Sequence, residues 1–462
     1  MTGRARLFGT AGIRGVTNAG ITPELALRLA RAYGDWLRAS GAPRRSVAVA
    51  HDTRWGAEML ARAAASGFAS AGLHVQFYGC VSTGVFSLNL ARTEQDGGLL
   101  VTGSHMPPDR IGLILLGGDG AICPFSITDR VEEILASDEP PREVAPRDIG
   151  RLEEAFHPYE LYVSECMKAL DAPLCRSRKF KVVADPANGT ASYIAKEFFE
   201  WLGCAVELLN YDPAPVPDRP SEPRAHTVGA AIELVRREHA DLGACFDVDA
   251  DRVLFIDAAG TPLSEDTAGA VFARRILKPG DVCVVPINSS GLIERVCLEA
   301  GARLEYCGVG QPEEVEAIRR HGAVFSYEES GKYYFPPRFL WADGLYSAGR
   351  LLEIMAREGR TAAELAAEFP RYHQVKRNVD APDDRKDAAM GALQRRLESS
   401  LTRGRVRDVT VDGFKRVYED HAWLLFRKSG TEPLIRVYSD APTLPRAEEL
   451  ATTGEALLRE CL

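Results

Sequence analysis

The run Leu99-Leu-Val-Thr-Gly-Ser-His-Met-Pro-Pro108 carries an apolar stretch into Ser104 and His105 and then blocks a regular ladder with Pro107 and Pro108. A serine beside glycine at such a strand end is exposed and conformationally restricted, which suits a nucleophile or a phosphoryl carrier. Acyl transfer is disfavoured. The chain has no Gly-x-Ser-x-Gly elbow, and adjacent Ser and His do not make half a triad, whose members meet in space rather than as sequence neighbours. A second candidate is Asp247-Val-Asp-Ala-Asp-Arg252. Its three carboxylates, Asp247, Asp249 and Asp251, stand at alternate positions, so an extended chain or a tight loop can aim them at one point. They follow the apolar run Leu242-Gly-Ala-Cys-Phe246, and packing three carboxylates at a buried strand end is costly without a cation. An EF-hand is excluded, since Arg252 and Ala258 stand where that loop needs Gly and Glu. Three protein ligands leave room for water or a substrate phosphate, as Mg²⁺ prefers.

Two further loops offer binding chemistry. In Arg427-Lys-Ser-Gly-Thr-Glu-Pro433, the guanidinium of Arg427, the hydroxyls of Ser429 and Thr431 and the flexible Gly430 can cradle a phosphate. The spacing is not that of a P-loop, so no nucleoside triphosphate is implied; the competing reading is a hairpin turn with incidental polar residues. In Tyr327-Glu-Glu-Ser-Gly-Lys-Tyr-Tyr-Phe335, Glu328 and Ser330 could read vicinal sugar hydroxyls, although a charged turn before a strand explains that segment nearly as well.

The elements that must position these loops follow a repeated grammar. Segments beginning at Ser46, Lys179 and Asp281 each read as a short apolar strand, a polar loop, a helix and a second strand entered through Gly. Alternation of this length predicts β-α-β units with central strands buried on both faces. Each unit leads to another apolar strand that ends in one of the polar loops, and in α/β sheets ligands gather beyond the carboxyl ends of strands. Pro140–Pro146 closes the first unit, and Pro213–Pro223 is expected as a loop inside the second. From about Pro370 the texture changes to an arginine-rich helix, expected over Lys386–Leu401, and a strand pair around Phe426–Pro433. The expected fold is α/β: three related α/β domains with mixed sheets and a smaller C-terminal α+β domain around a central cleft. The expected boundaries are 1–150, 151–256, 257–369 and 370–462.

Bulk properties narrow the partners. A chain of 462 residues can bury several cores, and 45% hydrophobic with 26% charged residues is an ordinary soluble balance. A net charge of -9 argues against duplex nucleic acid, which needs a basic face. Ten cysteines without a C-x-x-C pair fit a reducing compartment, and cytoplasm is the expectation. No run is long and apolar enough for a signal peptide or a membrane span, so no membrane partner is expected.

In order, Phe8-Gly-Thr-Ala-Gly-Ile-Arg-Gly15, Thr102-Gly-Ser-His105, Asp247–Arg252, Glu328-Glu-Ser-Gly331 and Arg427-Lys-Ser-Gly-Thr431 resemble the signatures of the α-D-phosphohexomutase superfamily, which includes phosphomannomutase/phosphoglucomutase. The resemblance covers nearly the whole chain. It implies a phosphoserine at Ser104, with Ser104, Asp247, Asp249 and Asp251 around Mg²⁺, and Arg14 and Arg252 positioning the reacting phosphate. It further implies that Glu328 and Ser330 read the sugar, that Arg427, Ser429, Gly430 and Thr431 hold the other phosphate, and that a hexose 1,6-bisphosphate is the intermediate and activator. The partner implied is a small sugar phosphate; oligomeric state is left open.

The chain also departs from that pattern. Many relatives carry a lysine downstream of the serine as a candidate base, and here Ile114 stands at that place in Gly112-Leu-Ile-Leu115. Lys332 or His105 is then expected to take the proton; an equal alternative is that Lys332 only neutralises a substrate phosphate. His51-Asp-Thr-Arg54 and Asp185-Pro-Ala-Asn-Gly189 are expected to shape loops rather than react. Glu329 occupies a position that varies with the sugar, and Lys332-Tyr-Tyr-Phe-Pro with Trp341-Ala-Asp-Gly-Leu points to mannose and glucose phosphates. The alternatives are a phosphoglucosamine mutase and a noncatalytic sugar-phosphate sensor.

Overall fold

The structure, a computed structural model, describes residues 6–137, 142–398, 400–430 and 432–462. The chain forms two compact units, Met1–Ser264 with Ser330–Leu365, and Glu265–Glu329 with Ala366–Leu462.

The first unit is built on two mixed sheets. One contains β1 (Ile13–Val16), β2 (Ser46–His51), β3 (His74–Cys80), β4 (Gly97–Thr102), β5 (Arg110–Gly117) and β6 (Leu152–Glu154), in the order β1-β5-β4-β2-β3-β6. Strand β2 runs parallel to both β3 and β4, while β5 returns antiparallel to β4 and pairs antiparallel with β1. Strand β4 is buried along its whole length, because helices cover the sheet and bring Leu29, Leu60 and Phe68 against Val47, Val49, Leu99 and Val101. The helix Pro23–Ala39 begins where Thr22 accepts the Leu25 amide at 3.3 Å and Pro23 fixes the first turn. The other sheet contains β7 (Lys181–Asp185), β8 (Ala205–Leu208), β9 (Leu242–Phe246) and β10 (Val253–Asp257), ordered β10-β9-β7-β8. Here β7 is parallel to β8 and β9, and β10 turns back antiparallel to β9.

In the second unit, β11 (Val282–Pro286) pairs in parallel with β12 (Arg303–Cys307) and β13 (Phe325–Glu328). Strand β14 (Lys332–Tyr334) belongs to the first unit. The second unit also holds an antiparallel sheet of β15 (His373–Asp380), β16 (Arg405–Val409), β17 (Phe414–Tyr418), β18 (Trp423–Lys428) and β19 (Leu434–Ala441), ordered β15-β19-β18-β17-β16.

The three predicted β-α-β units are present as β2–β3, β7–β8 and β11–β12, each pair parallel and joined through a helix. Pro213–Pro223 is loop, as expected. The arginine-rich helix starts earlier and stops earlier than the sequence suggested, at Asp383–Leu397. Pro382 precedes it, and Asp383 and Asp384 sit favourably at its positive end.

Candidate active site

Strand β4 ends at Thr102, and buried polar groups, rather than a ladder, fix the serine loop beyond it. Gly103 is required because a Cβ there would lie 2.3 Å from the Arg54 Nε. Ser104 is buried rather than exposed, because Asp247 and Ser221 close over it. It adopts φ +45°, a left-handed conformation that costs a non-glycine residue about 1 kcal/mol and persists only where surroundings impose it. Those surroundings are explicit. The Arg54 guanidinium, buried, donates to the carbonyls of Ser104 and Met106 at 2.6 Å each, to Arg110 at 3.2 Å, and to Pro107. Asp52 accepts the Gly103 amide at 2.8 Å and the Arg54 amide at 2.9 Å. The Ser104 amide donates to Thr102 Oγ1 at 3.0 Å, and the Ser104 carbonyl also accepts from Ser221 Oγ at 2.6 Å.

The carboxylate loop begins where β9 ends. Asp247, Asp249 and Asp251 are all buried and each offers an oxygen within 4.8 Å of the others. The Ser104 hydroxyl donates to Asp247 Oδ2 at 2.7 Å, and the Arg252 amide donates to Asp247 Oδ1 at 3.1 Å. Thr102 Oγ1 lies 2.9 Å from Asp52 Oδ2 and 2.8 Å from Asp249 Oδ2, yet its single hydrogen can serve only one of them. Asp249 Oδ1 and Asp251 Oδ1 are buried without a hydrogen-bond partner among the described residues. Burial, reinforced by the neighbouring carboxylates, pushes Asp247 well above the usual carboxylate range and Asp249 up to about 6. Asp251 feels the same burial, but Lys332 and then Arg252 outweigh it and hold it below its ordinary value. Buried oxygens left without donors and carboxyls forced upward are what a hard divalent cation would relieve, so this donor set fits one.

Cationic groups surround the carboxylates. Lys332 Nζ lies 2.6 Å from Asp251 Oδ2; it is brought there by Gly331, whose φ of +83° and approach to the Val253 carbonyl exclude a side chain. Arg252 donates to Glu222 at 2.7 Å and keeps Nε 3.8 Å from Asp247 and 3.9 Å from Asp251. Arg14 sits in β1, exposed to solvent but close enough to these charges that its guanidinium is lowered, first by partial loss of water and then by Arg252. His105 Nδ1 lies 3.5 Å from Ser104 Oγ, and burial, then Arg252, Arg14 and Lys332, depress its imidazole to about 2, so it is neutral at physiological pH. Ile114, in β5, pairs with Leu100 and carries no titratable group.

The structure therefore gathers Ser104, His105, Asp247, Asp249, Asp251, Arg252, Lys332 and Arg14 in the first unit. Ser330 also belongs to that unit, while Glu328, Arg427, Ser429 and Gly430 belong to the second; Thr431 lies outside the described residues. In the second unit, Arg427 Nε donates to Asp412 at 2.7 Å, and buried Lys386 donates to the carbonyls of Ser429 at 2.8 Å and Glu432 at 2.6 Å. Arg427, Asp412, Lys386 and Ser429 line a pocket of about 520 Å³ with Gly413, Lys428 and Gly430. Glu329 accepts from Lys376 at 2.7 Å.

Sequence reasoning assigned loop-shaping to the segment containing Arg54 but did not find Ser221, Glu222 or Lys386. Their only sequence signal is weak: polar residues in a proline-rich loop, and one lysine among many. What makes them matter is the main-chain carbonyl or buried arginine each one meets.

Family models match most of the chain. Residues 5–142, 160–260 and 264–372 match phosphoglucomutase/phosphomannomutase alpha/beta/alpha domains I, II and III, and residues 376–453 match the C-terminal domain of the same family. A phosphoglucomutase/phosphomannomutase of Thermococcus kodakarensis is 33% identical over 462 residues, covering 99% of each chain. A probable phosphoglucosamine mutase of Methanopyrus kandleri is 34% identical, covering 99% of this chain and 98% of that one. The crystal structure of a phosphoglucomutase/phosphomannomutase family protein from Burkholderia thailandensis superposes with a TM-score of 0.85 at 25% identity, covering 98% and 97% of the two chains. The chain belongs to the phosphoglucomutase/phosphomannomutase family, a family of mutases within the α-D-phosphohexomutase superfamily.

Proposed function

We propose that this mutase interconverts the 1-phosphate and 6-phosphate of a hexose through a phosphoserine at Ser104 and a hexose 1,6-bisphosphate intermediate. The observation that carries the reading is the 2.7 Å hydrogen bond from Ser104 Oγ to Asp247, one of three buried carboxylates that lie together. In the first transfer a sugar hydroxyl oxygen forms a bond to phosphorus as the Ser104 Oγ–P bond breaks, and the hydroxyl proton passes to a base. In the second, Ser104 Oγ, protonated on leaving in the first step, bonds to the phosphorus of the other phosphoryl group as the sugar O–P bond breaks, and its proton ends on the freed sugar oxygen. Ser104, Asp247, Asp249 and Asp251 would hold Mg²⁺, which when bound would offset the charge of the transferring group.

The remaining roles are assigned to this chain's own residues. Arg14 and Arg252 orient the reacting phosphate by charge. Glu328 and Ser330 bind sugar hydroxyls, while Arg427, Ser429, Gly430 and Thr431 hold the phosphate that is not reacting. Lys332 or His105 takes the sugar proton; His105 is neutral and so can accept one. The four-domain division at 150, 256 and 369 is part of the same reading. So are the cytoplasmic setting and a sugar phosphate as partner, without nucleic acid or membrane; no described helix is long and apolar enough to cross a bilayer.

Mannose and glucose phosphates are the proposed substrates, on the segments Lys332-Tyr-Tyr-Phe-Pro and Trp341-Ala-Asp-Gly-Leu. Glucosamine phosphate is the second reading, supported by the name of the Methanopyrus relative. A noncatalytic sensor is disfavoured, since a sensor has no use for a serine hydroxyl held against three carboxylates. Coupled assays with the 1-phosphates of mannose, glucose and glucosamine test the reading. It expects the highest kcat/KM for mannose or glucose; a glucosamine preference supports the second reading, and no turnover of any of the three contradicts both.

A further inference from the structure

Ser104 is held by two kinds of bond with different fates. Its hydroxyl hydrogen goes to Asp247 at 2.7 Å, and that bond is lost whenever Oγ carries a phosphoryl group, because the hydrogen is gone. Its main-chain carbonyl is the same in both forms. It accepts from Arg54 Nη2 at 2.6 Å and from Ser221 Oγ at 2.6 Å. The arginine reaches four carbonyls of the serine loop and so sets the loop's shape. It does not tie that loop to the carboxylates.

Ser221 makes that tie. Only 7% exposed, its hydroxyl also accepts from the amide of Val248, the residue after Asp247, at 3.3 Å. The proline-rich segment that carries it is braced on both sides. Arg219 bonds Asp185 Oδ2 and the Phe246 carbonyl, both at 2.7 Å, and Glu222 accepts from Arg252 at 2.7 Å. A further side-chain link between the two loops, Thr102 to Asp249, shares its one hydrogen with Asp52 and therefore varies with the charge at the carboxylates. The Ser221 link is neutral and independent of that charge.

We propose that Ser221 is a positioning residue that keeps the Ser104 main chain in register with Asp247, Asp249 and Asp251 while Ser104 is phosphorylated. The inference rests on the phosphoserine reading above. Without the Ser221 hydroxyl, the unphosphorylated loop retains its Oγ tether to Asp247, whereas the phosphorylated loop has lost both, and the buried Val248 amide is left without an acceptor. The damage falls on the phosphoenzyme. Two consequences separate this role from simple support of the fold: turnover drops without a matching change in KM, and the phosphoserine becomes accessible to water. In that leak a water oxygen bonds to phosphorus as the Oγ–P bond breaks, one water proton ends on Ser104 Oγ, and inorganic phosphate leaves.

The test uses the full chain with Mg²⁺, loaded with glucose 1,6-bisphosphate, comparing wild type with Ser221→Ala and Ser221→Thr. Ser221→Ala is expected to lower kcat by about tenfold to a hundredfold, the scale of a lost buried hydrogen bond and a misplaced reacting group. Its KM should stay within about twofold of wild type. Intact-mass time courses should show its phosphoenzyme losing phosphate faster than wild type in sugar-free buffer. Ser221→Thr, which keeps the hydroxyl, should restore both properties. If Ser221→Ala does not fold, Ser221→Cys, nearly isosteric but a weak donor, should show the same losses. Unchanged kcat and phosphoenzyme lifetime in the folded variant overturn the positioning role. A wild-type chain that takes up no phosphate contradicts the phosphoserine reading instead, so the two failures are distinct.

Discussion

Ser104 Oγ donates to Asp247 Oδ2 across 2.7 Å although the two residues are 143 positions apart, and the serine takes a left-handed conformation to do so. Nothing in a solvated turn requires that conformation. The link joins the end of β4 to the end of β9, so the reacting oxygen is placed by two sheets of the first unit at once. Asp247→Asn keeps the shape but removes the acceptor charge, and it should lower kcat by about 100-fold or more while leaving the fold intact. Steady-state kinetics together with far-UV circular dichroism check this.

Arg54 is expected to be as sensitive to a conservative change as to a drastic one. Its planar fork serves the carbonyls of Ser104, Met106, Pro107 and Arg110, which the single ammonium of a lysine cannot reach together. Arg54→Lys should lower the Tm by about 5 °C and kcat by about tenfold or more. Differential scanning fluorimetry and the mutase assay read the two effects.

Divalent cation binding should depend on pH in a defined sense. Burial and then Asp251 raise Asp249 to about 6, so below that pH a proton competes with the cation for the same oxygens. Mg²⁺ affinity measured by calorimetry should fall as pH drops from 7.5 to 5.5. In chelator-treated protein the linkage has the opposite sign. The folded state then holds a proton that the unfolded state, near 3.8, has released, so this carboxyl favours folding more as pH falls from 7 towards 4.

A second pH effect belongs to the other unit. Lys415 is fully buried, donates to the carbonyls of Ile287 at 2.8 Å and Ser289 at 3.2 Å, and lies over the rings of Tyr306 and Trp423. Burial lowers its ammonium to about 7 against the pull of Asp440 and Glu294. Above that pH the native state has released the proton while the unfolded chain keeps it to about 10.5, so stability contributed by this group rises from pH 7 to 9. Thermal melts of wild type against Lys415→Met should show that slope only in the wild type.

The base is addressed by a single substitution. Lys332→Met removes the amine 2.6 Å from Asp251. If Lys332 takes the sugar proton, kcat should fall by about 100-fold or more, within the range attributed to general bases, with the acidic limb of the pH profile, which reports the base, displaced. Unchanged turnover would assign the step to His105.

The parts of this molecule that were legible in sequence are those written in residue type and spacing. Alternating strands and helices gave the three parallel β-α-β pairs, and the serine and the alternate aspartates stood out as chemistry at a strand end, whereas Lys332 was marked only by the family resemblance. Ser221 and Lys386 did not stand out as structural anchors, because they act on main-chain carbonyls 43 to 117 residues away and a carbonyl leaves no mark on the sequence. The start of the helix Asp383–Leu397 is less legible for a simpler reason: Pro382 and the Asp pair after it read as readily as a turn as they do as a helix start.

The most direct measurement of the central claim is the intact mass of the wild-type chain and of Ser104→Ala after incubation with a hexose 1,6-bisphosphate and Mg²⁺. Addition of one phosphoryl group to the wild type, mapped by peptide analysis to Ser104 and lost together with mutase activity in the variant, is the expected result. A chain that turns over sugar phosphates without ever carrying phosphate on Ser104, or a Ser104→Ala variant that remains active, would contradict it.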